Sequence, residues 1–197
     1  MDAPDKYFRE QTNIYRLHEL VDSTILGMPG GPPFVLSENL IKRMHKVAMS
    51  GLLDSAGDYR QTEVRIQNSA HRVPSWVEVP ALMGTFVEYL RVNWQARDLV
   101  HLAAFALWRL NWIHPFANGN GRTARAVCYL VLCARHGQLF PPRNSIIEQI
   151  QAKKQPYYQV LPQVDAIYAS TNDPAVSVAP LEHYLQHLLS LQLAANL

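Results

Sequence analysis

The feature that most constrains the fold is a polar stretch, HPFANGNGRTAR at residues 114–125, set between two apolar segments of helical length and spacing. Pro115 disfavours the α conformation at the residue before it, so the first helix is predicted to stop at Trp112 or Ile113. The stretch is therefore predicted to be a tight loop between two buried helices, with the imidazole of His114 at the helix end.

The loop has the composition of an anion-binding site. Gly119 and Gly121 accept positive φ values, and Asn118 and Asn120 tolerate left-handed conformations better than most residues. Such a loop can turn several successive N–H groups towards one point. A helix that begins at Arg122 would add its own unpaired N–H groups and the positive end of its dipole.

Two arginines at the start of that helix favour a phosphate ligand. Arg122 and Arg125 are three residues apart and share a helix face. Cations there oppose the helix dipole at a cost of about 0.3–1 kcal/mol each, which an anion between them and the loop would offset. We therefore interpret the stretch as a polyphosphate site with His114 at its rim; the alternative is a plain helix–loop–helix corner with solvated arginines. The spacings of the P-loop and of the dinucleotide-binding loop are absent.

The same residues resemble the signature of Fic-domain proteins, H-x-F-x-[DE]-G-N-G-R-x-x-R. His114, Phe116, residues 119–122 and Arg125 match it, and the single departure is Asn118 in place of Asp or Glu. The resemblance implies an all-α, mainly helical fold with a short β-hairpin called the flap. It also implies a protein adenylyltransferase, which transfers AMP from ATP to a Ser, Thr or Tyr hydroxyl of a target protein.

The family's functional residues carry over position by position. The resemblance makes His114 the general base for the target hydroxyl and Phe116 a buried anchor for the loop. It assigns phosphate contacts to a larger set, with the α-phosphate at Asn120 and the outer phosphates at the arginines: Asn118, Gly119, Asn120, Gly121, Arg122 and Arg125.

Asn118 stands where the family has a residue that holds or organises Mg²⁺. An amide oxygen can ligate a hard cation but brings no charge, so Mg²⁺ (or Mn²⁺) would be bound mainly through the ATP phosphates, with Asn118 as a weak candidate ligand. Two alternatives to an adenylyltransferase therefore stay open. One is a catalytically weak or inactive nucleotide-binding or protein-interaction module. The other is a Fic enzyme with a different donor, for transfer of another nucleotide, phosphocholine or phosphate.

The flap is expected in the first half of the chain. The resemblance runs from about Ser37 to Tyr158, and within it GDYR at residues 57–60 resembles the segment that leads into the flap. Thr62, Val64 and Ile66 alternate with polar residues, which predicts a half-buried strand; Asn68-Ser69 would turn the chain and residues 71–73 would return it. The resemblance implies that a protein target docks strand-like near Val64–Val73. The alternative is an ordinary surface hairpin.

The inhibitory motif of many Fic proteins, [ST]-x-x-x-E-[GN], has no match in the chain. Its glutamate pairs with the second signature arginine, which is Arg125 here. Either a separate, antitoxin-like inhibitory protein supplies that glutamate, or Asn118 already weakens the enzyme enough. Self-association into a homo-oligomer, which is common in the family, is left open by the sequence.

The whole chain, 197 residues with 48% hydrophobic and 17% charged residues, is typical of one domain with a sizeable core. We expect an N-terminal helix and connector at residues 1–36, a Fic core at 37–160 and C-terminal helices at 161–197. Capping residues and apolar spacing predict the following helices: Lys6–Leu26, one capped by Ser37, Pro80–Asn93, Asp98–Trp112, Arg122–His136, Ile146–Lys154, Tyr157–Ser170 and Leu181–Leu193. Gly27–Pro33 is predicted to be a connector.

Partners and compartment follow from charge and from absent segments. A net charge of +2 is too balanced to predict a nucleic-acid or membrane partner, and no apolar span of membrane-crossing length occurs. The N-terminus lacks the features of a signal peptide. Cys128 and Cys133, five apart on a helix, are predicted to be free and buried. We expect a cytoplasmic protein, with secretion by a route that needs no cleaved signal left open.

Overall fold

The computed structural model describes residues 3–28, 34–67 and 69–195, and these ranges are mainly helical. The helices are α1 (Ala3–Leu26), α2 (Glu38–Ala48), α3 (Val79–Asn93), α4 (Leu99–Ile113), α5 (Asn120–His136), α6 (Ile146–Ala152), α7 (Lys154–Thr171), α8 (Pro174–Ser177) and α9 (Ala179–Ala194). One 3-10 turn, Trp76–Glu78, leads into α3. No strand occurs in the described ranges, so the all-α prediction is confirmed.

Helices α4 and α5 form the centre of the molecule. They pack along each other as a helical hairpin, while α3, α7 and α9 cover α4, and α1 and α2 cover α5. Helix α4 is buried on nearly every face because its sequence is apolar almost throughout, with Arg109 as its one charged residue. Burying a large apolar side chain such as Phe105 contributes about 1.5–3 kcal/mol. Side chains of α1 and α9 belong to the same buried cluster.

Several helix ends follow local sequence signals. The Asp98 carboxylate accepts hydrogen bonds from the N–H groups of Val100 and His101, both at 2.9 Å, and so caps α4. Ser37 caps α2 in the same way. Helix α4 ends at Ile113, as Pro115 predicts.

Other boundaries differ from the prediction. Helix α5 begins at Asn120 instead of Arg122, because Gly119 at φ 76° serves as its N-cap. The helix predicted at Ile146–Lys154 ends earlier, because Lys153 is not helical. Helix α7 then begins at Lys154. Helix α8 lies between the predicted helices Tyr157–Ser170 and Leu181–Leu193, where no helix was predicted. The connector predicted at Gly27–Pro33 falls mostly on residues 29–33, outside the described residues.

The predicted β-hairpin is wrong in its described part. Residues 61–67 and 69–75, called the flap below, form two limbs to which no strand is assigned. The limbs are joined at their base by the guanidinium of Arg60, which donates to the carbonyls of Thr62 and Pro74. A cleft separates the limbs above that point. An isolated two-stranded ladder is marginal in water, which fits its absence. Asn68, half of the predicted turn, lies outside the described residues.

Two smaller predictions concern the cysteines and membrane crossing. Cys128 and Cys133 are free and buried, as predicted. None of the described helices combines the length and the apolar character that membrane crossing requires.

Candidate active site

His114 lies at the end of α4 with a free nitrogen. It is the C-cap in a left-handed conformation (φ 51°), with its N–H bound to the Leu110 carbonyl. Its Nδ1 is 3.2 Å from the carbonyl oxygen of Asn111. A carbonyl can only accept, so Nδ1 carries the proton and Nε2 keeps an open lone pair. Burial lowers the pKa of His114, whereas the hydrogen bond to the Asn111 carbonyl raises it. The charges of Arg60 and His71 lower it further. The imidazole is therefore neutral at neutral pH.

Asn120 and Phe116 hold the loop after His114 in shape. The amide of Asn120 is bidentate on the backbone of Phe116: its Oδ1 accepts the N–H at 2.9 Å and its Nδ2 donates to the carbonyl at 2.7 Å. The Phe116 ring is 1% exposed and stacks on the ring of His45, with centroids 3.7 Å apart. Phe116 is thus the buried anchor that was predicted. The Asn120 side chain is used up inside the loop, which leaves its backbone N–H for a ligand.

His45 supports the loop from below. Its Nδ1 accepts the N–H of Gly57 at 2.9 Å, so its Nε2 donates to the carbonyl oxygen of Asn118, also at 2.9 Å. The side chain is fully buried on α2. The sequence alone could not have revealed this role of His45, since nothing local marks a partner 73 residues away.

The glycines are needed for two different reasons. Gly119 has φ 76°, and a Cβ there would lie 2.5 Å from Sδ of Met49. Gly121, Asn118 and Asn120 also tolerate positive φ, but none of the three adopts it. At Gly121 a Cβ would instead crowd the guanidinium of Arg125, 3.3 Å from Nη1.

The two arginines carry N–H groups that the described residues leave unsatisfied. Nη2 of Arg122 pairs with Oε1 of Glu10 on α1 at 2.9 Å, but its Nη1 is buried without a partner. Nε of Arg125 is likewise buried without a partner, and burial lowers the pKa of Arg125. Buried donors are nearly always paired in folded proteins. Two unsatisfied guanidinium groups on one helix turn therefore fit an anionic ligand.

Asn118 is exposed, and its Oδ1 accepts the N–H of Gly119 at 2.7 Å. The amide oxygen thus already has a partner within the loop. The described residues contain no cluster of three His, Cys, Asp or Glu side chains that could hold a metal ion. Asn118 therefore offers a metal ion an amide oxygen that is already hydrogen-bonded, and no carboxylate.

All the residues predicted for the site line one cleft. Loop and α5 residues form its floor, α4 and α7 form one wall, and the flap covers it. The predicted lining residues are His114, Asn118, Gly119, Asn120, Gly121, Arg122 and Arg125. The sequence did not identify Trp108, Trp112, Tyr158 and Asp165, which also line it.

The flap is attached to the wall of the cleft through His71. Its Nε2 donates to the carbonyl of Trp112 at 2.9 Å, and its Nδ1 lies 3.6 Å from the carboxylate of Asp165 on α7. Asp165 also accepts the indole N–H of Trp108 at 2.8 Å. These partners are far apart in the sequence, so no local pattern could have revealed the contact.

Comparison with known proteins identifies relatives of this chain. Residues 35–132 match the model of the Fic/DOC family. The chain is 29% identical over 169 residues to protein adenylyltransferase Fic of Nematostella vectensis, across 84% of this chain and 37% of the relative. It is 29% identical over 131 residues to protein adenylyltransferase fic-1 of Caenorhabditis briggsae, across 60% of this chain and 25% of the relative. The chain thus spans well under half the length of these curated relatives.

Among solved structures, a Fic-domain-containing signaling protein of Bacteroides thetaiotaomicron superposes with a TM-score of 0.76. The superposition covers 95% of this chain and 70% of that chain at 24% identity. At that identity the likeness concerns the fold.

Proposed function

Residues 35–132 of this chain form a Fic/DOC domain, and on that premise we propose that the protein is an adenylyltransferase that transfers AMP from ATP to a hydroxyl of a target protein. One observation carries the proposal. A neutral histidine with a free Nε2 shares a cleft with two arginines whose buried N–H groups lack partners. A base for a hydroxyl and a site for phosphates are the two parts that nucleotidyl transfer requires.

The proposed reaction uses Nε2 of His114 as general base. The target hydroxyl oxygen forms a bond to the α-phosphorus of ATP, and its proton passes to Nε2. The bond from the α-phosphorus to the oxygen that bridges to the β-phosphate breaks, and pyrophosphate leaves with that oxygen. Nδ1–H remains on the Asn111 carbonyl, which keeps the ring oriented during the transfer.

The phosphates would be held by the start of α5. The backbone N–H groups of Asn120 and Gly121 lie at the positive end of the helix, where anions bind well. Arg122 and Arg125 would bind the outer phosphates and stabilise the charge that builds up on pyrophosphate. Because the Asn120 side chain is committed to Phe116, its contact with the α-phosphate would come from its backbone.

A divalent cation would have an unusual environment in this site. Mg²⁺ prefers oxygen ligands and often binds through one or two carboxylates together with substrate phosphates. The chain offers the amide of Asn118, whose oxygen already accepts a hydrogen bond from Gly119. Mg²⁺ or Mn²⁺ would therefore be coordinated mainly by the phosphates of ATP.

The target would dock on the flap near Val64–Val73. In the described part, the limbs of the flap do not pair with each other as strands. Backbone N–H and C=O groups that make no hydrogen bond within the flap would be available to an added segment. A docked hydroxyl would then lie over the cleft that contains His114.

The test is intact mass spectrometry of the protein after incubation with ATP and Mg²⁺ or Mn²⁺. The wild-type protein is expected to gain the mass of one or more AMP groups, and the His114→Ala variant none. His183→Ala is the matched control, since His183 is an exposed histidine on α9 outside the cleft. An equal gain in His114→Ala would remove His114 from the mechanism.

A second candidate function is a nucleotide-binding module without catalysis. The observation that favours it is Asn118, which brings no carboxylate to the loop and whose amide oxygen already accepts a hydrogen bond from Gly119. Asn118→Asp separates the two. If only this variant gains AMP, the cleft is complete except for its metal ligand, and the natural chain is a binding module.

A further inference from the structure

Arg60 is a buried arginine outside the cleft that the proposed reaction uses. It immediately precedes the flap and is 4% exposed. Its backbone N–H donates to the carbonyl of Pro115 at 2.9 Å, which joins it to the loop after His114. The nearest carboxylate is that of Glu63 at 3.7 Å, on a side chain that is 63% exposed. Arg60 therefore has no buried acid as a partner.

Backbone carbonyls surround the guanidinium instead. Nε donates to the carbonyl oxygen of His114 at 2.8 Å, and Nη2 donates to that of Pro74 at 2.6 Å. Nη1 donates to that of Thr62 at 3.2 Å. The first acceptor is the end of α4, and the other two are the last and first parts of the flap. One planar group thus joins the histidine and both limbs of the flap.

The electrostatics explain why a cation is stable there. The carbonyls of Ile113 and His114 are at the C-terminal end of α4, where the helix dipole is negative. A guanidinium presents five N–H donors in a fixed plane, so it can serve several carbonyls of fixed position at once. A lysine ammonium would supply the charge but could not donate to all of these separated carbonyls at once.

We propose that Arg60 is the positioning residue of this site: its guanidinium sets the flap base and the backbone of His114 at a fixed separation, and thereby sets the distance between a docked target hydroxyl and Nε2. The role in transfer rests on the proposed function. The positioning itself does not, because it is a property of the flap and of His114 in the free protein.

The charge of Arg60 also acts on His114. Burial is the main cause that lowers the pKa of His114, and the positive charges of Arg60 and His71 lower it further. The hydrogen bond to the Asn111 carbonyl works in the opposite direction. Removal of the Arg60 charge should therefore raise the pKa of His114, while a lysine at the same place should largely preserve it.

The experiment compares Arg60→Gln and Arg60→Lys with wild type and with Arg91→Gln. Arg91 is an exposed arginine on α3, paired with Glu88 and outside the cleft. Spin labels at Ala70→Cys on the flap and Gln163→Cys on α7 report the flap position by pulsed EPR. The native Cys128 and Cys133 are buried and should stay unlabelled. An NMR titration gives the pKa of the His114 ring in each variant.

The two substitutions should give different signatures. Arg60→Gln should broaden the distance distribution and raise the pKa of His114. Arg60→Lys should broaden the distribution but leave the pKa near its wild-type value. In both, transfer at saturating ATP and target should fall by up to about 10²-fold through misplacement, with ATP affinity unchanged. Arg91→Gln should match wild type in every readout.

Distances and a His114 pKa that equal wild type in both Arg60 variants would overturn the proposal. If Arg60→Gln does not fold, as judged by circular dichroism, the distance distribution of Arg60→Lys decides alone. If wild type transfers no AMP, the proposed function fails, and the distance and pKa measurements still decide the role of Arg60.

Discussion

At the scale of single residues, the chemistry depends on which nitrogen of His114 carries the proton. The Asn111 carbonyl holds the proton on Nδ1, and burial keeps the ring neutral. Arg122 and Arg125 do not stabilise each other, since two like charges on one helix turn repel. Their unsatisfied N–H groups therefore favour a bound anion over the empty arrangement.

The lowered pKa of His114 predicts a one-sided pH dependence. A base works only when unprotonated, so transfer should fall as the pH drops through a pKa below the ordinary 6.5 and should be level at neutral pH. The measurement is the rate of AMP incorporation between pH 5 and 8. A rate that still climbs steeply above pH 7 would show that His114 is not the limiting base.

Glu10 competes with any anion for Arg122. It binds Nη2 of Arg122 at 2.9 Å, and both side chains are partly exposed. Exposed ion pairs contribute about 0.2–1 kcal/mol, so Glu10→Gln should tighten ATP binding by up to about fivefold. Calorimetric titration measures this, with Glu19→Gln on the same helix as the control. Weaker binding in Glu10→Gln would mean that Glu10 helps to shape the site instead.

At the scale of elements, the site is an interruption between α4 and α5, and its shape comes from the ends of both helices. Gly119 is the N-cap of α5, and Gly137 is its C-cap; both have positive φ. A Cβ at Gly119 would overlap Met49, whereas a Cβ at Gly137 would meet nothing within 4 Å. Alanine substitutions at the two ends of α5 therefore distinguish two effects: backbone strain, which is present at both ends, and steric overlap, which is present only at Gly119.

Gly119→Ala should destabilise the protein more than Gly137→Ala. A left-handed alanine costs about 1–2 kcal/mol at either position. Overlap with Met49 should add about 1–3 kcal/mol at Gly119 alone. Urea unfolding measures both. Gly119→Ala should cost less in the Met49→Ala background than in wild type, as a double-mutant cycle with Met49→Ala alone measures. An equal cost in both backgrounds would mean that the overlap is not the cause.

Helix ends could be predicted from the sequence, because their causes are local. Asp98 and Ser37 are capping residues, and Pro115 stops α4. The position of the flap was predicted but its irregular conformation was not, because its limbs are held by Arg60 and His71 through partners 54 and 41 residues away. The residues that line the cleft were predicted wherever one continuous motif contains them. The contact of Glu10 with Arg122 was not predicted, since 112 residues separate the two in the sequence.

At the scale of the whole molecule, α1 and α2 buttress the site from outside the central helical hairpin. His45 of α2 joins the turn at Gly57 to the carbonyl of Asn118, and it does so only as a neutral ring. A protonated ring would have no lone pair on Nδ1 for the Gly57 N–H. Stability of the fold and integrity of the loop are therefore linked through one buried histidine.

The folded protein should lose stability as the pH falls below 6.5. Burial is the main cause that lowers the pKa of His45, and the same holds for His114. In the unfolded chain these two histidines bind protons near pH 6.5. Their contribution to the free energy of unfolding is therefore full above that pH and is lost as the pH falls through their pKa values in the folded protein. The loss is at most about 1.4 kcal/mol per pH unit for each histidine.

Urea unfolding at pH 7.5 and 5.5 measures this loss. The free energy of unfolding should be lower at pH 5.5, and His45→Gln should reduce the difference between the two pH values. A difference that is unchanged in His45→Gln would assign the pH dependence to other groups.

Nucleotidyl transfer by this cleft is tested by the transfer of label from ATP that is radiolabelled at either the α- or the γ-phosphate. Wild-type protein, His114→Ala and Arg125→Gln are incubated with each form, and protein-bound label is counted after gel separation. Label from the α-phosphate alone, present in wild type and lost in both variants, is the predicted result. Label from the γ-phosphate, or equal α-label in His114→Ala, would contradict nucleotidyl transfer by this cleft.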